Sequence, residues 1–372
     1  MVIDYTNDKQ DNCTGCRACV AVCPVNAIVE KKGGRLESIY EIGASCINCG
    51  RCKSVCPIDK DFYNLKADSF YCLSSKDEQA KLKSSSGGAA YQFSVSIIKA
   101  GGIVYGAGWN VDKQRVEHMR IDCLEKLSSI QGSKYVQSWI DKEIYISIQQ
   151  DLKTRLVLFT GTPCQIAAVR SYTRDSENLM TVDLICHGVP SPDFLDEQLH
   201  EITNSKVEKI SFRKGLDFSL FLTSNGKDYY ENGYDNPFYS LFLNFAFLRE
   251  NCYQCKYACQ TRVGDITVGD FEEDGKGYSC VVINSKKGER LFATCQECLE
   301  FKKYPIDILS TNHAFNKPTV KHKKTDVFTQ DYKKMGLVRA YNKCFRILRI
   351  KRMIKRLVGE STYNTIKGML GR

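Results

Sequence analysis

At 372 residues, with 19 cysteines and a formal net charge of +10, the chain is too long for a small disulfide-stapled module and long enough for two or three domains with a sizeable core. Ten of its cations (Lys333, Lys334, Arg339, Lys343, Arg346, Arg349, Lys351, Arg352, Lys355 and Arg356) lie between Tyr332 and Gly359, a stretch without an acid. The remainder is neutral, so basicity belongs to one C-terminal segment and no nucleic-acid partner is expected.

The start, MVIDYTNDKQ, lacks a basic-then-apolar signal pattern. The longest apolar stretch, Pro237 to Leu248, is interrupted by Ser240 and Asn244 and is too short to span a bilayer. A cytoplasmic protein is expected, where so many cysteines indicate metal and redox chemistry rather than disulfides.

The first element in chain order is the clearest. Cys13, Cys16, Cys19 and Cys23 precede Pro24, and Cys46, Cys49, Cys52 and Cys56 precede Pro57, so the run C-x2-C-x2-C-x3-C-P is written twice. In such a run three thiolates hold one cubane, and the fourth, carried away by the proline turn, ligates the other. The rule assigns Cys13, Cys16, Cys19 and Cys56 to one [4Fe-4S] cluster and Cys46, Cys49, Cys52 and Cys23 to a second. A disulfide framework or a pair of zinc sites would lack the third cysteine at x2 and the doubled Cys-Pro ending. Residues 4–60 resemble a bacterial two-cluster ferredoxin, and short hairpins around Ala27 to Val29 and Arg35 to Tyr40 fit it.

Beyond this unit, Ser84-Ser-Ser-Gly-Gly88 precedes an apolar helix, Ala89 to Lys99, which Gly101-Gly102 ends before a strand, Ile103 to Ala107. The serine-glycine turn suits a phosphate at a helix N-terminus, and equally suits a plain helix cap. Gly132 to Gln137 is a further turn with a cation and an aromatic. From Arg155 the pattern becomes strand (Arg155 to Thr160), turn (GTPCQ, Gly161 to Gln165) and helix (from Ile166). It then repeats as strand (Leu179 to Cys186), loop (His187 to Pro192) and helix (Asp193 to Ile202). Such alternation predicts parallel βαβ units whose loops emerge at one carboxyl edge, bringing Cys164 and Cys186 to one crevice.

Downstream, an aromatic helix is expected over Phe238 to Leu248, and Cys252-x2-Cys255-x3-Cys259 sits in a polar loop before a strand, Asp265 to Asp270. Val281 to Asn284 and Arg290 to Ala293 read as a hairpin around Lys286-Lys287-Gly288. Cys252 and Cys255 with Cys295 and Cys298 offer two C-x2-C pairs for zinc, at a separation much longer than in ordinary zinc ribbons. Ile347, Ile350, Ile354 and Leu357 recur at helical spacing among the C-terminal cations, a pattern for a helix packed on its own protein or for peripheral contact with an anionic membrane.

Together SSSGG, GSKYVQS, GTPCQ, LICHGVPSP, and C-x2-C followed by RVGDITVGD and GYSCVVINSKKGE resemble the family of beta subunits of coenzyme F-420 hydrogenase and dehydrogenase over Ser84 to Phe301. The resemblance implies an oxidoreductase in which FAD exchanges two electrons with a deazaflavin or another small-molecule acceptor or donor. A core [4Fe-4S] cluster would pass single electrons to or from a redox partner protein or ferredoxin. Carried over by motif, the core ligands are Cys164, Cys186, Cys252 and Cys255. Cys259 departs from the pattern, as a substitute ligand or a bystander, and Cys72, Cys123, Cys280, Cys295, Cys298 and Cys344 read as small core or surface residues.

The resemblance also implies flavin-binding loops at Ser86, Gly87, Gly88, Lys134 and Tyr135. His187 is the candidate proton relay, against a plain loop histidine, and Asp270 either contacts flavin or caps its strand. The expected fold class is α/β: a two-cluster ferredoxin-type α+β domain at 1–62, then a mixed α/β flavin and iron–sulfur domain with parallel βαβ units in two parts, 63–150 and 151–315, and a basic helical extension at 316–372. A non-catalytic iron–sulfur carrier or scaffold without flavin is the other reading.

Overall fold

The computed structural model of the chain describes residues 12–30, 40–62, 64, 66–346, 350 and 358–359. The N-terminal unit is two short helices, α1 (Ala18–Val22) and α2 (Arg51–Val55), and an antiparallel pair, β1 (Ile28–Glu30) with β2 (Tyr40–Ile42). Its two halves repeat in backbone as well as sequence. Gly15 and Asn48 both take left-handed φ (63° and 53°), as do Arg17 and Gly50, which open the two helices at 64° and 72°. Residues 31–39, which hold most of the second predicted hairpin, lie outside the described residues.

The body of the chain is built on one sheet. In chain order its elements are β3 (Ser69–Ser75), α3 (Glu78–Lys83), α4 (Ala89–Lys99), β4 (Ile103–Asn110), β5 (Arg115–Ile121), α5 (Lys142–Asp151), β6 (Val157–Gly161), α6 (Pro163–Thr173), β7 (Leu179–Leu184) and α7 (Pro192–Ile202). There follow β8 (Val207–Ser211), β9 (Leu220–Ser224), β10 (Lys227–Glu231), α8 (Pro237–Leu243), β11 (Ile266–Glu273), β12 (Lys276–Ile283), α9 (Lys286–Ala293), β13 (Leu299–Pro305), α10 (His313–Asn316), α11 (Thr325–Met335) and α12 (Leu337–Cys344).

Eight strands join in the order β13-β3-β12-β11-β7-β6-β4-β5. The inner pairings β4/β6, β6/β7 and β7/β11 are parallel, and those toward both edges are antiparallel. Val157, Leu158 and Phe159 on β6 are all buried, as a parallel strand covered on both faces requires. On α4, Ala89, Phe93 and Ile97 recur every four residues and bury one stripe on the sheet. A second sheet, β10-β9-β8, packs with α7, α8, α11 and α12 around a separate aromatic core of Phe194, Phe212, Phe238, Tyr239, Phe247 and Phe328.

Two elements differ from the sequence reading. The predicted hairpin around Lys286 is a strand followed by a helix. Ser285 accepts from Gly288 N–H at 3.2 Å, a helix N-cap, and Glu289 adds a favourable charge in the first turn. Leu291 and Phe292 of α9 turn into the core, while Val281 to Ile283 pair with β11 and, at Val281, with β3. The aromatic helix also ends early: α8 stops at Leu243, where Phe245 takes a left-handed φ of 52°.

The basic segment from Tyr332 is not a free tail over its described part. Tyr332, Leu337, Ala340, Tyr341 and Phe345 are buried in the aromatic core, and the Tyr341 hydroxyl donates to Ser240 Oγ at 2.9 Å. The periodic residues Ile347, Ile354 and Leu357 lie outside the described residues. No helix among the described residues is long and apolar enough to cross a membrane.

Arg262 holds the cysteine-rich loop to the sheet from inside. It is 1% exposed and pairs with the fully buried Asp183 of β7 at 3.3 Å. It also donates to the carbonyls of Leu184 (2.8 Å), Tyr257 (3.1 Å) and Cys259 (3.2 Å). Arg262→Ala would leave the Asp183 carboxylate buried without its cation and is expected to lower stability by about 3–5 kcal/mol. Thermal denaturation of the purified variant measures this; a loss under about 1 kcal/mol would show that Asp183 is satisfied by Gly264 N–H alone.

Candidate metal centres and crevice

Because β6, β7 and β11 run parallel, the loops after β6 and β7 leave the sheet at one edge, and they wall a crevice of about 480 Å³. Cys164, Cys186 and Cys252 line it; Cys255 stands behind them, in an apolar cluster that also takes in Cys164. The helix carrying Cys164 starts at Pro163, earlier than its pattern suggested, since proline at the first helical position forfeits no bond. Cys164 therefore sits in the first turn, with Thr162 Oγ1 3.1 Å from its sulfur. Gly188 N–H donates to Cys186 Sγ at 3.4 Å.

These four thiols feel one another. Burial, with Cys255 and Cys252 adding and Thr162 and Arg249 opposing, pushes Cys164 up to about 12. Burial likewise lifts Cys186 well above an ordinary thiol, followed by Cys252 and Cys164, and lifts Cys252 to about 11. Four thiols brought together that resist ionisation would become thiolates only with positive charge among them. Cys259 instead points its thiol at the Thr261 carbonyl, 3.1 Å away.

Cys295 lies elsewhere, its thiol 3.5 Å from Gln92 O under α4, and Cys298 is exposed. Among the described residues no group of three His, Cys, Asp or Glu side chains is placed to hold a single metal ion. A cubane is a different demand: each of its ligands binds a separate iron, so the sulfurs stand farther apart than around one ion.

The N-terminal cysteines fold into their own unit. Gly15 N–H donates to Cys13 Sγ (3.5 Å), Asn48 N–H to Cys46 Sγ (3.4 Å) and Ala27 N–H to Cys23 Sγ (3.2 Å), so the repeat extends to the sulfur contacts. Burial pushes Cys16 up to about 12, and its strongest charged neighbour is Cys56 of the second run, followed among the cysteines by Cys13. Cys16 and Val55 share the apolar cluster of Cys164 and Cys255, with Tyr145 donating to Cys16 O at 2.7 Å. Thr14, between the first two cysteines, reaches the crevice itself. Cys49 is exposed at the opposite, outer side.

Ser86, Gly88, Lys134 and Tyr135 line the crevice; Gly87 does not. A Cβ on Gly87 would lie 2.1 Å from Leu73 O, so that glycine lets the loop press against β3. Ser133 N–H donates to Ser85 Oγ at 2.7 Å, tying the two candidate loops together at the N-terminus of α4. Lys134 donates to the carbonyls of Gln131 (2.8 Å) and Gly132 (3.0 Å), and among the described residues no carboxylate pairs with it. Burial pushes its ammonium down to about 7, a loss that water wetting its half-exposed crevice face offsets in part. Tyr135 stacks on Phe242 with ring centroids 4.9 Å apart.

His187 lines the crevice, parallel to Phe245 at 5.7 Å and edge-on to His313 at 4.9 Å. Burial, then His313, push it down to about 4, so it is neutral near pH 7 and accepts protons poorly. Asp270 lines the crevice and forms an ion pair with the buried Arg213, which lies over Phe218 at 4.3 Å. The sequence reading missed Thr14, Gln137 and Arg249 as crevice or inter-unit residues. Gln137 stood in a quoted motif without a role, and the others are placed by contacts from distant parts of the chain.

Three comparisons place this geometry among known proteins. The family described as the C terminus of the coenzyme F420 hydrogenase/dehydrogenase beta subunit matches residues 154–307, and a 4Fe-4S dicluster domain matches residues 12–60. The F subunit of the F(420)H(2) dehydrogenase of Methanosarcina mazei is 26% identical over 318 residues, 80% of this chain and 86% of that one. A chain of the F420-reducing [NiFe] hydrogenase complex from Methanosarcina barkeri aligns with a TM-score of 0.47 and 19% identity, covering 79% of this chain and 96% of that one.

Since the N-terminal unit and the crevice loops are separate local structures, Cys164→Ser is expected to remove the metal signal of the crevice set and spare the N-terminal ones. Low-temperature paramagnetic resonance of the reduced protein reads this. Joint loss of every signal, or loss of none, would refute the separation.

Proposed function

Because the chain belongs to the family of coenzyme F420 hydrogenase/dehydrogenase beta subunits and carries a 4Fe-4S dicluster domain, we propose that it is an iron–sulfur flavoprotein oxidoreductase exchanging electrons between a redox partner protein and a small molecule. A deazaflavin of the F420 type is the favoured small molecule, following the names of its relatives. In this reading Cys13, Cys16, Cys19 and Cys56 hold the inner N-terminal cluster, Cys46, Cys49, Cys52 and Cys23 the outer one, and Cys164, Cys186, Cys252 and Cys255 the core one. Bound FAD would supply two-electron chemistry and the clusters one-electron transfer.

The observation that carries the proposal is the crevice itself: Thr14 of the N-terminal unit, three of the core cysteines and the cations Lys134 and Arg249 face the same volume. That volume falls in the usual range for small-molecule sites. Ser86, Gly88 and the N-terminus of α4 offer backbone donors for a phosphate, with Lys134 as its counter-charge. Tyr135 and Phe242 supply an aromatic wall for a planar ring. Neutral His187 and Phe245 close part of the opposite wall and keep water scarce beside Cys186.

Protein purified without oxygen is expected to contain about twelve irons per chain and to release FAD on acid extraction. Iron near eight would remove the core cluster, and absence of flavin would return the chain to the carrier reading.

Lys134 supplies a second test. Its ammonium is charged below about 7, so flavin affinity should be greatest at acid pH and fall as pH rises through that value. His118 and His187, each pushed down to about 4 by burial, stay neutral throughout that range. Lys134→Met is expected to raise the flavin dissociation constant roughly ten- to a hundredfold and to flatten the pH profile. Fluorescence titration across pH 6–8 measures both, and an unchanged profile in the variant would exclude Lys134 as the phosphate contact.

A further inference from the structure

Arg249 joins two cysteine sets that are far apart in the chain. Its backbone belongs to the crevice side: Cys252 N–H donates to its carbonyl at 2.9 Å, and its own N–H donates to Val189 O at 3.0 Å. Its side chain belongs to the N-terminal side. Nη2 donates to Cys13 O at 3.2 Å, and Nη1 donates to Oε1 of Gln137. Gln137 Nε2 in turn donates to Thr14 O at 3.0 Å and Gly15 O at 3.1 Å. The fit is close: a Cβ on Gly15, whose φ is +63°, would stand 2.9 Å from both terminal nitrogens of Arg249.

The guanidinium is 5% exposed, and its Nε finds no hydrogen-bond partner. Its hydrogen bonds go to an amide oxygen and a carbonyl, not to a carboxylate, and Glu30 acts on it only at longer range. A buried cation left so is costly unless an anion completes its surroundings. A cubane held by four thiolates carries net negative charge, and Arg249 lies between two sets of such ligands.

We propose that Arg249 is the shared counter-charge of the inner N-terminal cluster and the core cluster, and that with Gln137 it is the positioning residue fixing the distance between them. The inference rests on the reading that both sets hold clusters. A fixed positive charge favours the more negative, reduced state of each neighbour, so it raises both reduction potentials. The outer set at Cys46, Cys49, Cys52 and Cys23 lies outside these contacts and serves as the internal reference.

The test is a redox titration followed by low-temperature paramagnetic resonance on the full anaerobic chain. It compares the unaltered protein with Arg249→Lys, Arg249→Gln and Gln137→Met. Arg249→Gln is expected to lower the potentials of the inner and core clusters and leave the outer one unmoved. Arg249→Lys should keep all three potentials near their original values while weakening the magnetic coupling between inner and core clusters, because an ammonium lacks the planar fork. Gln137→Met should weaken the coupling with the potentials retained.

Equal shifts of all three clusters, a shift of one neighbour alone, or no shift would overturn the proposal. If Arg249→Gln fails to assemble, assembly of Arg249→Lys with all clusters still shows that the charge is required; failure of both shows that shape, not charge, governs the site and overturns it. Iron analysis comes first: an unaltered protein without a core cluster would defeat the parent reading, whereas a full complement with unshifted potentials defeats this inference alone.

Discussion

Sulfur ligands buried in number need positive charge among them. Cys16 and Cys164 are both pushed up to about 12, chiefly by burial, and Cys186 well above an ordinary thiol, each made worse by neighbouring thiols. Desolvation of a single thiol is tolerable, but a group of them in one pocket cannot ionise without cations in their midst. In the proposed arrangement the loops that carry these residues, irregular in backbone, would order as the metal binds. What does not depend on metal is the frame beneath: parallel strands with apolar runs, and the buried Arg262–Asp183 pair that ties loop to strand.

The frame explains how a ferredoxin-like unit of little intrinsic core becomes part of a larger body. It is held through its backbone carbonyls. Tyr145 reaches Cys16 O, Tyr257 reaches Pro57 O at 3.1 Å, and Lys256 reaches Ile58 O (2.9 Å) and Lys60 O (2.6 Å). Arg17 adds a cation contact to Trp139, 3.9 Å from the ring centroid. Carbonyl contacts of this kind fix position without competing for the sulfurs.

Much of this was legible where the signal is local. The doubled cysteine run, the α4 limits at Ala89 and Lys99, and the alternation that brings Cys164 and Cys186 to one edge all follow from spacing within a few residues. The strand β12 and helix α9 were misread because Lys286-Lys287-Gly288 resembles a hairpin turn, while the deciding cap, Ser285 on Gly288, is a side-chain choice. The small sheet β8–β10 was not anticipated, although Asn225-Gly226 joins β9 to β10 as a two-residue hairpin turn and β9 alternates in burial; its apolar partners come from α7, α8 and α11. Gly87 does not line the crevice and lets its loop press close on β3. Arg249 with Gln137 could not be seen at all: the two stand 112 positions apart, and their meeting is a product of the whole fold.

One asymmetry of the N-terminal unit shapes how the protein ages. Cys16 lies sealed against α5 and α6, whereas Cys49 is open to solvent beside Ile47, itself 60% exposed. Oxidation of sulfur follows access, so oxygen and peroxide meet the outer ligands first. In the proposed arrangement the outer cluster behaves as a fuse: its destruction severs the molecule from its partner while the inner set and the crevice are still intact. Damage then leaves a disconnected protein rather than one that leaks electrons into the surrounding water.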